Sequence, residues 1–126
     1  REVMGLEASG AAAADAVHKL QANGVTGARV VQAQVEQVLP SLAQEAPWDL
    51  VVLDPPRQGC SRRVLEAIIG MTVPRAIYVS CDPSTLARDL GILVSSGYRC
   101  LGVQPVDLFP QTFHLEAVAV LERVRS

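Results

Sequence analysis

Short apolar runs of strand type alternate with longer segments of helical period along all 126 residues of this chain. That alternation constrains the fold most, because parallel strands need crossover helices and amphipathic helices need a sheet to cover. Trp48 to Asp54 (WDLVVLD) is the clearest strand, ended by Pro55-Pro56 because proline has no amide to give to a ladder. Val3 to Glu7, Arg29 to Ala33, Arg75 to Ser80 and Tyr98 to Val106 read as further strands, with His114 to Glu122 as the last. Helices are expected over Ala11 to Asn23, ended by Asn23-Gly24, and over Val35 to Ala43, before Pro47. Two more follow: Ser61 to Ile69, with Ser61 as cap, and Ser84 to Ser95, with Leu86, Leu90 and Leu93 on one side. Only Asp107 to Phe113 separates the last two strands, too little for a crossover helix, so they pair antiparallel. The predicted class is α/β, with a mainly parallel sheet and an antiparallel last strand. No linker or repeat interrupts the chain, and residues 1–126 read as one compact domain.

Composition excludes several functions. Apolar residues at 49% suit a globular core, and aromatics at 4% leave that core to aliphatics and alanine. Eleven basic against thirteen acidic residues give a net charge of -2, which is not the excess of a module that holds nucleic acid by charge alone. No apolar stretch is long enough for a transmembrane helix, and Arg1 to Gly5 lacks the design of a signal peptide. Cys60, Cys81 and Cys100 are an odd set without a C-x-x-C pair, which argues against a disulfide framework and for a reducing, cytoplasmic setting. His18 and His114 have no cysteine at ligand spacing, so no metal site is expected. The chain opens without methionine and enters a buried-type strand almost at once. It has only isolated glycines at Ser9-Gly10 and Gly24-x-x-Gly27 where a nucleotide-type fold needs a loop. The expectation is that a first strand, its glycine loop and further upstream sequence are missing.

In an open α/β sheet, ligands gather outside the carboxyl ends of the parallel strands. Glu7, Asp54 and Cys81 stand at such ends, and His114 and Glu116 at the start of a reversed last strand, which brings them to the same edge. Each has a plain alternative. Glu7 also suits a helix cap, Asp54 a turn and Cys81 a small buried apolar position. Cys81 precedes a helix whose first turn carries Pro83, a setting that favours thiolate, although Asp82 beside it opposes that. Glu116 in an apolar strand needs a partner or a task, and Arg88 and Arg57 are candidate partners. Cys60 and Cys100 have no acid, base or helix start that marks them. A thiol, a carboxylate base and no metal suit addition to an electron-poor double bond such as that of uracil.

Three motifs stand in order: Asp54-Pro55-Pro56-Arg57-x-Gly59, Ser80-Cys81-Asp82-Pro83-x-Thr85 and Phe109-Pro110-Gln111-Thr112-x-His114-x-Glu116. Together with Val3-x-Gly5-x-Glu7 they resemble the RNA 5-methyluridine methyltransferases, over nearly the whole chain. The resemblance implies a Rossmann-like methyltransferase sheet and S-adenosylmethionine as cofactor. It also implies an RNA substrate, tRNA or rRNA, with neither DNA nor membrane as partner. Carried over by residue, it implies Cys81 as the nucleophile at carbon 6 and Glu116 as the base that removes the carbon 5 proton. Glu7 would bind the cofactor ribose, and Asp54 would lie beside cofactor and target base. The family's glycine loop and N-terminal RNA-binding region have no counterpart here, so this stretch alone is expected to bind cofactor weakly and turn over poorly. Arg57, Arg62 and Arg63 suit either RNA phosphates or a solvated helix start. Two other readings stay open. One is a methyltransferase acting on an exocyclic nitrogen, although Arg57 stands where such enzymes carry an aromatic. The other is a cofactor-fold module without catalysis.

Overall fold

The computed structural model describes residues 2–45, 47–108, 111 and 115–124. The chain divides between Leu42 and Ala43 into two compact units.

In the first unit, β1 (Val3–Glu7) and β2 (Ala28–Gln32) pair in parallel, from Val3 opposite Ala28 to Glu7 opposite Gln32. A parallel pair requires a crossover, supplied by α1 (Gly10–Ala22), whose alanine-rich start favours helix. Ser9 caps it, its hydroxyl accepting the Ala12 amide at 3.3 Å. Asn23 closes its far end, followed by Gly24 at a φ of 62°. The short α2 (Val35–Leu42) follows β2 and carries Pro40 within it, where the proline withholds one helical hydrogen bond.

The second unit is a four-stranded sheet in the order β3-β4-β6-β5, with β3 (Leu50–Leu53), β4 (Arg75–Ser80), β5 (Tyr98–Val106) and β6 (Glu116–Arg123). β3 and β4 are parallel, and β6 runs antiparallel to both β4 and β5. Three strands therefore share one direction and the last is reversed, as the short connection after β5 predicts. β6 starts at Glu116, two residues later than expected, and His114 lies outside the described residues.

Helices α3 (Arg62–Met71) and α4 (Pro83–Ser95) join β3 to β4 and β4 to β5. Ser61 caps α3 as predicted, its hydroxyl accepting the Val64 amide. The strand period of two builds the core: Ala76, Tyr78 and Ser80 of β4 are buried and stand opposite Leu121, Ala119 and Ala117 of β6, also buried. Large faces small in the first two of these pairs, so Tyr78 has room beside Ala119. Leu65 and Ile68 of α3 and Leu93 of α4 are wholly buried with them. The expected apolar stripe on α4 is corrected at one position: the buried residues are Leu86, Asp89 and Leu93, with Leu90 half-buried. Both sets obey helical spacing, and a carboxylate takes the inner place because Tyr78 donates its hydroxyl hydrogen to it. Among the described residues no helix is long and apolar enough to cross a membrane.

Truncating wholly buried Leu65 to alanine should cost about 2–5 kcal/mol, read as a lower midpoint in urea unfolding. A loss below about 1 kcal/mol would mean that α3 does not seal the sheet.

Candidate functional site

One edge of the four-stranded sheet collects the chemistry. Leu53 pairs with Tyr78 in the parallel ladder, and Asp54 and Cys81 follow directly on the ends of β3 and β4. Ser80 pairs with Ala117 in the antiparallel ladder, so Cys81 and Glu116 each stand one step beyond that pair on neighbouring strands. The structure thus brings Asp54, Cys81 and Glu116 to a common edge. Asp54 is exposed, and Cys81 and Glu116 are half-buried. Glu7 ends β1 in the first unit's sheet, and of the third motif Phe109, Pro110, Thr112 and His114 lie outside the described residues.

Local hydrogen bonds fix the Cys81 turn. The buried Ser80 hydroxyl donates to the Asp82 carbonyl at 2.8 Å and accepts the Asp82 amide at 3.0 Å, bracketing Cys81. Asp82 then caps α4: its Oδ1 accepts the Ser84 amide at 2.9 Å, the Ser84 hydroxyl at 2.6 Å and the Thr85 amide at 3.1 Å. These bonds, the Ser84 hydroxyl first, hold the Asp82 carboxyl below its ordinary value, and Arg57 adds to the effect by charge. The Ser84 and Thr85 amides of this helix start thus donate to Asp82.

The expected partners of Glu116 also need revision. Arg88 is committed to Asp89, through Nε at 3.0 Å, and to the Gln58 carbonyl, through Nη2 at 2.7 Å. Arg57 lies close enough to Asp82 to act on it. Glu7 accepts the Ser9 amide through Oε1 at 2.9 Å, so it orders the turn before α1 while Ser9 itself is the cap. No disulfide joins Cys60, Cys81 or Cys100 among the described residues, and Cys60 is buried. Sequence reasoning gave no role of their own to Ser80, Tyr78 and Asp89. Ser80 alone had a legible signal, as a small hydroxyl residue adjoining a turn before a helix.

Comparison with known proteins yields a family and relatives. Residues 3–124 match the family described as tRNA (uracil-5-)-methyltransferase. An uncharacterized RNA methyltransferase of Gloeobacter violaceus is 49% identical over 98% of this chain and 26% of its own length. One from Caldanaerobacter subterraneus is 45% identical over 97% of this chain and 27% of its own. The chain thus spans about a quarter of the length of the curated relatives it matches. Among solved structures, the tRNA (uracil-54, C5)-methyltransferase of Pyrococcus abyssi, in complex with S-adenosyl-L-homocysteine, is similar at a TM-score of 0.80 and 31% identity. That match covers 95% of this chain and 28% of the other.

The lowered Asp82 carboxyl sets a pH dependence. Because its folded value lies below the unfolded one, its stabilising share is present above the unfolded value and is lost as pH falls through the folded one. Asp82→Ala should lower the melting temperature near neutral pH, and the gap to the parent should narrow below roughly pH 4. A gap that stays constant into acid would show that the charge of the cap contributes nothing.

Proposed function

The chain belongs to the tRNA (uracil-5-)-methyltransferase family, and on that premise we propose that it carries the chemistry of methyl transfer to carbon 5 of a uridine in tRNA or rRNA. The strand register carries the reading, since it sets a thiol and a carboxylate one step beyond the same residue pair on adjacent strands. A uracil between them would meet a nucleophile and a base together. The Pyrococcus relative, named for uracil-54 C5 in tRNA, supports a carbon 5 target over a nitrogen. We read residues 1–126 as one methyltransferase catalytic domain acting in the cytoplasm.

S-adenosylmethionine, when bound, supplies an electrophilic methyl group. Glu7 supports this part of the reading: it ends a parallel strand, and a carboxylate can accept from the paired hydroxyls of a ribose. Asp54, exposed at the end of β3, is placed by this reading beside cofactor and base.

Cys81 acts as thiolate. Its electron pair forms a carbon–sulfur bond at carbon 6 of uracil, and the carbon 5–carbon 6 π pair moves toward the carbonyl, making carbon 5 nucleophilic. Once carbon 5 carries the methyl, Glu116 takes its proton. The electrons of that C–H bond restore the double bond, and the carbon–sulfur pair returns to Cys81. The thiolate is regenerated, and the proton leaves through Glu116.

Fluorine at carbon 5 cannot leave as a proton, so the last step stalls. With RNA containing 5-fluorouridine and S-adenosylmethionine, the full-length protein should form a covalent adduct that survives denaturing electrophoresis and disappears in Cys81→Ala. On ordinary RNA, Glu116→Gln should lower kcat by roughly 100-fold or more. Methyl transfer without any adduct would favour a nitrogen target, and RNA binding without either signal would favour a module without catalysis.

A further inference from the structure

The loop after β3 and the helix after Cys81 are tied together by a network that the mechanism above does not use. Thr85, Arg88 and Asp89 lie at spacings of three and four, on one face of α4. Thr85 donates its hydroxyl to the Arg57 carbonyl at 2.8 Å. Arg88 donates through Nη2 to the Gln58 carbonyl at 2.7 Å and the Cys60 carbonyl at 3.4 Å. Asp89 accepts the Cys60 amide through Oδ2 at 2.8 Å. The same oxygen accepts the Tyr78 hydroxyl at 2.5 Å, and Oδ1 faces Arg88. The backbone of Arg57, Gln58 and Cys60 is therefore held by three side chains of a single helix.

Gly59 shows how close the fit is. It has a φ of 77°, and a Cβ there would lie 2.6 Å from Asp89 Oδ2 and 2.7 Å from Arg88 Nη2. Its amide closes a turn on the Pro56 carbonyl at 2.9 Å. Asp89 is wholly buried, whereas half of the Arg88 side chain is exposed, at 51%. A buried carboxylate with several donors around it has one stable arrangement. Burial, and the Asp89 carboxylate that accepts its hydrogen, hold the Tyr78 phenol far above its ordinary value, so it stays a donor. The far end of the same loop is Asp54, and the residue just before the α4 cap is Cys81.

We propose that Arg88 and Asp89 are positioning residues, latching the Asp54–Cys60 loop onto α4 so that Asp54 is held in a fixed relation to Cys81. The proposal rests on the roles given above to Asp54 and Cys81. A latch of this kind acts on catalysis through loop placement, where a misplacement of the order of 1 Å costs up to about 100-fold in rate.

The test uses the full-length protein with Arg88→Ala, Arg88→Lys, Asp54→Ala and the Arg88→Ala/Asp54→Ala pair. Arg88→Ala should lower kcat roughly 10- to 100-fold, with a smaller change in the KM for RNA. Arg88→Lys, which keeps one donor for the Gln58 carbonyl, should recover part of it. In the Asp54→Ala background, Arg88→Ala should cost less than about twofold more, because both act through one loop. Independently of activity, amide exchange of Arg88→Ala should quicken at Gly59 and Cys60 while β4 and β6 keep their protection. Additive losses in the double variant, unchanged kcat in Arg88→Ala, or exchange quickened across the whole sheet would overturn the latch. A parent protein that neither methylates uridine nor traps on 5-fluorouridine RNA would overturn the functional reading, and the latch's catalytic role with it. A methylating parent with additive losses removes the latch alone.

Discussion

Taking a carboxylate out of water costs several kcal/mol unless donors replace the lost hydration. At Asp89 the replacements come from three places: a strand side chain in Tyr78, a loop amide at Cys60 and a neighbour on the same helix in Arg88. None of these segments can shift without stranding the charge. The buried side of β4, the loop after β3 and the start of α4 are thereby bound to one another through a single functional group. Arg88 reaches from solvent with its guanidinium fork, and its remaining donors hold loop carbonyls that belong to no ladder.

A second constraint is the period of the strands. Alternate residues of β4 and β6 face the same side, so Tyr78 with Ala119 and Ser80 with Ala117 settle the register together. A slip of one residue would set Val118 or Val120 where alanine or leucine now packs. It would also turn Glu116 to the opposite face. The alanines of β6 therefore act at a distance: by admitting the Tyr78 ring they determine which side of the sheet the carboxylate takes.

Much of this was legible in the sequence. The strand from Arg75 to Ser80 and the strand from Tyr98 to Val106 fall where β propensity and turn residues put them, and Ser61 caps α3 as its position predicts. The meeting of Asp54, Cys81 and Glu116 at one edge followed from strand direction alone. Helix periodicity could not choose between Leu90 and Asp89 as the inner residue, because three and four are both helical spacings and hydrophobicity favours leucine. Only the tertiary donors Tyr78 and Cys60 reverse that preference. The commitment of Arg88 was hidden for a like reason: besides Asp89, its partners are backbone carbonyls some 30 residues away, and carbonyls leave no trace in side-chain identity. Asp82, not Cys81, takes the Ser84 and Thr85 amides at the start of α4.

The position of β6 also sets an order of events. β4 and β5 are not neighbours; each bonds to β6, the strand that comes after both in the chain. On the ribosome, a chain grown only as far as β5 has Cys81 and the helix behind it but no strand to complete the ladder. The contacts that finish the sheet join residues about 40 apart, such as Tyr78 and Ala119, and such distant pairings form slowly. The thiol and the carboxylate then become neighbours in the same event that inserts β6, so a nascent chain brings the two together only once its ladder is complete.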